Sequence, residues 1–532
     1  MSQPVPASAP VWHRATGFLA VGLAVALLAI AGCTPQAGQA GQVDARVSSA
    51  EPFTWDPAQA GDAGSASVLA QVFEGLTAFD PQGNVQPALA ASWQVSDDGR
   101  QITFGLRPGL SYSDGQPILA QHVIDSWLRL IDPARPSPLA SLLGDITGAP
   151  DYLAGRVGRD GVGLHAQGEG TIVVDLRRPA TYFLAVTASP SLGVVPPSIL
   201  GAIGEVPPTV VSGAYRPIIG DAGVIHLTGN PSYWAGLPAL DELDLVTDFG
   251  GRNGVDLFSS GELDYTGLSA ADEPWVQYDP TLGPQLRNTD SLSINYYGFT
   301  TAVAPFDDAQ VRLAFAEAVD WQHIVSVAGG VPATSMIPVG IVGRDEQDHQ
   351  PAYDPEDARA LLAAAGYPGG AGLPQIVLTT YGVGFEETVA IELERNLGVE
   401  VTVEALDFQD YLEQVGGDPR PQIWTLSWIA DYPHPHDFLG LLLETGSGSN
   451  TGRWSNADYD ALIEQAAATA DPAEQAAIYA QAQDILAREA PVVPVAYDQS
   501  FALSRTGLLG ALESGVGFIR YAGLDWAPGT GR

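Results

Sequence analysis

Residues 375–403 restrict the fold more than any other segment. Gln375–Thr380 is a β-branched run, and Phe385–Leu397 carries apolar residues at helical spacing. Val399, Val401 and Val403 then alternate with acidic or hydroxyl residues. Strand, helix and strand in so short a space require a parallel pair joined by a crossover. The chain is therefore α/β. Other strand signals are shorter and lie among turn residues: Ile102, Phe104 and Leu106, Thr171–Leu176, and Val224–Thr228. They add mixed sheets to the parallel pair. Asp308 is placed to cap a helix carrying Val311, Phe315, Val319 and Ile324 on one side. Asp471-Pro472, with Glu474 following, starts another that runs through Ile478, Ile485 and Leu486 to about Glu489.

The 532 residues allow several domains or one large multi-lobed unit. Hydrophobic residues make up 45 % and charged residues only 16 %, which argues against disorder. All 23 basic residues are arginine, so no lysine is available for a Schiff base or a phosphate-binding loop. The net charge of −39 argues against nucleic acid as a partner. The one cysteine, Cys33, excludes an intramolecular disulfide and a cysteine-based zinc cluster.

Cys33 follows Ala15–Gly32, an uncharged stretch preceded by His13 and Arg14 and ending Ile30-Ala31-Gly32. Small residues directly before a cysteine, then the polar Thr34–Gln42, resemble a bacterial lipoprotein signal. The resemblance implies a cleaved signal over residues 1–32, lipidation of Cys33 and a flexible tether over 33–45. An uncleaved anchor helix and ordinary secretion are the alternatives. No second stretch of transmembrane length follows.

From Thr54 onward a series of blocks occurs in order. Asp56-Pro57 precedes Val72-Phe73-Glu74-Gly75-Leu76, and Pro87–Trp93 precedes Ser96-Asp97-Asp98-Gly99. Leu106-Arg107-Pro108-Gly109 and Ser113-Asp114-Gly115-Gln116-Pro117 come next. Ser212-Gly213-Ala214-Tyr215, Asn230–Trp234 and Leu240-Asp241-Glu242 lie in the middle. Pro305-Phe306-Asp307-Asp308, Trp428–Pro433, Ser455-Asn456 and Pro491–Pro494 complete the set. In this order, over nearly the whole mature chain, they resemble the solute-binding proteins of peptide-type ABC importers, solute-binding family 5. The resemblance implies a type II periplasmic-binding-protein fold: two lobes of mixed sheets flanked by helices, with an inserted subdomain. Mapped here, lobe I is discontinuous over 43–80, 205–300 and 496–532. The insert covers 81–204, and lobe II covers 301–495. A hinge closes the lobes on ligand.

The same resemblance assigns candidate residues. An Asp in a Trp-x-x-Asp-Tyr segment salt-bridges a peptide α-ammonium in this family, which here is Asp431, followed by Tyr432. Ser427, Trp428 and Ile429 would pair with the peptide backbone as an added strand. Asp62, in the loop Gly61–Gly64, aligns with a cleft-lining loop, although a surface turn explains it as well. Pro138-Leu139-Ala140 falls near the cleft, with Leu139 where peptide binders often carry an aromatic. Arg453 could meet a ligand carboxylate or be a solvated loop residue. His434, His436 and Asp437 have side chains able to ligate Ni²⁺ or Zn²⁺. The proline between the histidines splays them and no further ligand cluster is visible, so no metal site and no cofactor is expected. Trp275, Trp321, Trp424 and Trp454 fit core or inter-lobe packing better than ligand stacking.

No Gly-x-Ser-x-Gly, His-Glu-x-x-His or phosphate-loop motif is present, which argues against an enzyme. The expectation is a monomeric receptor, lipid-anchored through Cys33 on the extracytoplasmic face of the cell membrane, that captures peptides and delivers them to ABC permease subunits. An oligosaccharide, chelated nickel or a heme-like compound as ligand, and a sensing rather than transporting role, are the alternatives. The anchor has a direct test. Cys33→Ser should move the protein from the membrane fraction to the soluble extracytoplasmic fraction; an unchanged membrane fraction would point to an uncleaved helix.

Overall fold

In the computed structural model the described residues are 43–532, apart from 81–82, 202, 221–222, 270, 383, 512–515 and 518. The signal over 1–32, Cys33 and the tether up to residue 42 lie outside them. Eleven strands form one mixed sheet. In chain order they include β1 (Ala45–Ser48), β2 (Tyr215–Ile219), β3 (Val224–Gly229), β4 (Glu242–Val246) and β5 (Tyr265–Gly267). Then follow β6 (Leu286–Phe299), β7 (Ile376–Thr380), β8 (Val401–Ala405), β9 (Ile423–Ile429) and β10 (Val492–Ser504). Side by side the order is β8-β7-β9-β6-β10-β5-β1-β4-β3-β2, with Val331–Pro332 added on β10.

The strand–helix–strand unit forms as the sequence requires. β7 and β8 pair in parallel from Ile376↔Val401 to Thr380↔Ala405. The crossover helix Glu386–Leu397 ends at Gly398, whose φ of 72° suits a residue without a Cβ. The Asp471 cap is also found, accepting from the N–H groups of Ala473 and Glu474 at the start of a helix over Pro472–Glu489. The Asp308 helix differs from the sequence reading. It stops at Glu317, and a second helix, Trp321–Val327, is capped by Asp320, which accepts from the His323 N–H. A carboxylate at residue 320 offers the backbone a new start, which apolar spacing alone does not reveal.

β6 and β10, of 14 and 13 residues, connect the two halves of the sheet. The first part of β6 pairs with Gln499–Leu503, and the last part pairs with both β10 and β9. A register shift between Asp290 and Ile294 separates them. Asp498 spans that shift, accepting from Ser293 Oγ and Asn295 Nδ2, each at 2.7 Å. Val493 and Val495 face one core with Phe315 and Leu378, while Val492 and Tyr497 face the other with Trp424 and Phe438. Burial on both faces explains the unbroken apolar run Val492–Val495.

A separate four-stranded antiparallel sheet comprises Ala90–Val95, Gln101–Leu106, Thr171–Asp175 and Leu164–Ala166. Its core holds Phe104, Trp127, Ile172 and Phe183, and also takes in Tyr432 and Ala467 from distant chain. Among the described residues no helix is long and apolar enough to cross a membrane.

Gly298 lies opposite the buried Trp424 in the β6–β9 pair, and a Cβ on it would overlap the indole ring. Gly298→Ala should therefore destabilise the fold by about 1–3 kcal/mol, as overpacking does, read as a lowered denaturation midpoint at unchanged slope.

Candidate functional site

β9 is paired with β6 along its whole length, but with β7 only at Ile423 and Trp424. From Thr425 onward its second edge is open. Ala430 N–H continues the ladder to Leu292 O at 2.8 Å, so the even-numbered residues turn their backbone groups toward β6 and the odd-numbered ones turn theirs outward. Thr425 O already accepts from the Tyr411 hydroxyl, and the Ser427 N–H lies against the Tyr381 hydroxyl. Ser427 and Ile429 thus offer the remaining open edge. Trp428 has its backbone turned to β6 and meets the open side as a side chain.

This edge forms one wall of a cleft of about 780 Å³. Two helices supply further walls: α1 (Ala63–Val72), at its start, and α2 (Phe408–Gly416), through Phe408, Leu412 and Val415. Ser427, Trp428, Ile429, Asp431, Asp62, Pro138 and Leu139 all line it. Asp62 caps α1 by accepting from the Ser65 N–H at 2.8 Å, which fixes its carboxylate at the cleft wall.

Asp431 follows β9 and is half-buried. Its Oδ2 is shielded from solvent and has no hydrogen-bond partner among the described residues. Burial pushes its carboxyl up to about 7. Asp437 stands behind it, in the first turn of α3 (Pro435–Leu443), fully buried. Asp437 Oδ2 accepts from Trp428 Nε1–H at 2.9 Å and from the Asp431 N–H at 3.2 Å. It therefore sets both the indole and the turn that carries Asp431.

Arg420, just before β9, also lines the cleft. Its Nη1 donates to Thr451 O, while Nε is buried without a partner among the described residues. Burial and the nearby Arg453 lower its affinity for its proton. Sequence reading passed over Arg420 because it sits in no family block. Arg453 is exposed, has a φ of 54° and stands outside the cleft lining.

Tyr432 and the histidines face away from this cleft. Tyr432 is buried, stacks on Tyr182 at 5.9 Å between ring centroids and bonds His436 Nδ1 at 2.9 Å. His436 stacks on Tyr182 at 3.6 Å. His434 caps α3 by accepting from the His436 N–H. Burial lowers His434 to about 4 and drives His436 well below its ordinary value, keeping both neutral. Among the described residues no group of three or more His, Cys, Asp or Glu is arranged to hold a metal ion.

Next to these rings the chain flanking the four-stranded antiparallel sheet is joined to the segment after α3. Arg178 donates to both oxygens of Glu444, at 2.6 and 3.0 Å, and through Nε to Asp145 at 2.8 Å. Tyr182 donates to Asp145 as well. A second cavity of about 540 Å³ lies beside this cluster and shares Gly448 with the main cleft.

The profile of the bacterial extracellular solute-binding proteins, family 5 Middle, matches residues 84–450. The probable deoxycholate-binding periplasmic protein YgiS of Escherichia coli K12 is 31 % identical over 84 % of this chain and 86 % of its own length. The periplasmic oligopeptide-binding protein OppA of Salmonella typhimurium is 29 % identical over 90 % of this chain and 92 % of its own. The solved complex of Haemophilus influenzae OppA with RPPGFSPFR superposes with a TM-score of 0.73 at 25 % identity, covering 91 % of this chain and all of that one (100 %).

Without Glu444, Arg178 loses two charge-assisted hydrogen bonds but keeps Asp145, a loss of about 1.5–3 kcal/mol. Glu444→Ala should show a loss of that order in urea denaturation. The Arg178→Ala, Glu444→Ala double variant should lose less than the sum of the two singles; strict additivity would mean that the pair does not interact.

Proposed function

Because the chain belongs to the bacterial extracellular solute-binding proteins of family 5, we propose that it is a peptide receptor of an ABC importer. It takes up short peptides between two closing lobes and delivers them to permease subunits, held at the extracytoplasmic face by lipid on Cys33. It binds and releases without turnover. The observation that carries this reading is Asp431 Oδ2, an acceptor kept from water in the cleft wall with no donor among the described residues. Such an oxygen calls for a charged donor, and a peptide α-ammonium supplies one.

The surroundings fit the same ligand. The open edge at Ser427 and Ile429 suits main-chain pairing, which gives affinity without reading side chains. Arg420 lines the same cleft as Asp431 and offers a guanidinium to a ligand carboxylate. The ligands named for relatives support the class: OppA of Salmonella typhimurium is an oligopeptide-binding protein, and the Haemophilus influenzae OppA holds a nonapeptide.

A second reading has its own support. Tyr296, Tyr381, Phe408, Leu412 and Val415 give the cleft broad apolar walls, and YgiS is named for deoxycholate, an amphiphile with a carboxylate and no ammonium. Arg420 would then be the ionic partner and Asp431 would have none.

One titration separates the two. Losing a desolvated charged partner costs about 2–5 kcal/mol of binding, so Asp431→Asn should weaken trialanine binding at least about thirtyfold in calorimetry. Deoxycholate, tested alongside, should be unaffected or gain. Equal trialanine affinity in both proteins would remove Asp431 from the site.

A further inference from the structure

Helix α2 carries two apolar stripes. Tyr411 and Val415 are buried in the core with Trp424. Beside them Phe408 and Leu412, also four residues apart, are 56 % and 41 % exposed. One apolar stripe is enough to seat a helix on its core; a second calls for a second partner. Ile429, on the open edge of β9, is 47 % exposed, and all three side chains line the main cleft. Single exposed apolar residues are ordinary, but several gathered in one concave wall mark a surface that a ligand covers.

This wall is held in shape from behind. Asp407 caps α2 by accepting from the N–H groups of Gln409 and Asp410, and the Tyr411 hydroxyl ties the helix to β9 at Thr425 O. Tyr381 stands between the two stripes. It meets Phe408 edge to face at 5.2 Å between ring centroids and Tyr411 at 5.1 Å, and its hydroxyl lies against the Ser427 N–H. The aromatic bay is thereby fixed next to the open strand edge. Building on the peptide reading, we propose that Tyr381, Phe408, Leu412 and Ile429 form a side-chain site that selects peptides carrying a bulky aliphatic or aromatic residue.

The selection follows from the lining. Main-chain pairing at Ser427 and Ile429 and ionic contacts at Asp431 and Arg420 would be common to all short peptides, so discrimination among them falls to the side-chain walls. Each ligand methylene group that leaves water against the bay is worth about fourfold in affinity. A lysine or glutamate side chain pressed on the same wall would lose hydration without gaining a charged partner. The bay therefore favours leucine-like and phenylalanine-like side chains over small or charged ones.

The test is calorimetry of the full chain with trialanine and trileucine, which share main chain and termini and differ only in apolar side-chain volume. Trileucine should bind at least about tenfold tighter, with a more negative heat-capacity change. In the Phe408→Ala, Leu412→Ala double variant the ratio of the two affinities should fall to about threefold or less, and the heat-capacity difference should shrink with it. Both side chains lie largely outside the core, so the variant should still fold. Leu412→Gln, a good helix former of similar length, should move the ratio the same way by a smaller amount. Equal affinities for the two peptides in the unaltered protein, or a preference for trileucine that survives the double substitution, overturns the side-chain site and leaves the peptide reading standing. Neither peptide bound overturns the peptide reading, and the proposed occupant of the bay with it.

Discussion

Everything in this fold hangs on the antiparallel pairing of β6 with β10. These two strands are the route by which the sheet passes from its β7–β8–β9 half to its β1–β5 half. Tyr296 and Val492 serve one core, Tyr297 and Val493 a second, Ala502 a third and Leu503 a fourth. At the crossing the register slips, and Asp498 holds the slipped strand through Ser293 and Asn295. A bulged pair pinned by side chains keeps its connectivity while losing ladder bonds, and the strand bends and twists more strongly there. The cleft opens on the β9 side of that level, where β7 stops short and leaves the strand edge uncovered.

An exposed strand edge is normally a liability. Here it is sheltered by α2 and by the loops at Pro138 and Gly448, so that a narrow occupant can reach it. Shelter from water also makes the polar atoms beside it costly. Among the described residues Asp431 Oδ2 and Asp437 Oδ1 lack donors, and Arg420 Nε lacks an acceptor. On the proposed reading, a ligand able to pair its main chain and carrying charge of both signs would complete Asp431 and Arg420 in the cleft.

Much of this was legible in the sequence where the cause is local. The parallel pair follows from spacing alone, and Asp471-Pro472 capped the helix it was expected to cap. The segment 427–431 was visible as a phrase, and its residues meet in one cleft. The unread parts depend on tertiary contacts. Asp320 divides a helix that periodicity joins. Arg420 enters the cleft because α2 ends and the chain turns before β9, which no linear pattern marks. Asp437 looked like one end of a possible metal motif, and its buried hydrogen bond to Trp428 appears only once α3 is folded back on β9. Arg453, for which a solvated loop residue was one of the two readings, is exposed with a φ of 54°.

The most direct measurement on the central claim is mass spectrometry of the protein, purified without denaturant and compared before and after unfolding. A cleft with an open strand edge and a carboxylate awaiting a cation should carry ligand through purification. The account predicts a native mass in excess of the chain that resolves, on denaturation, into a mixture of short peptides. Release of a single non-peptidic compound, a steroid amphiphile or a sugar, would contradict it.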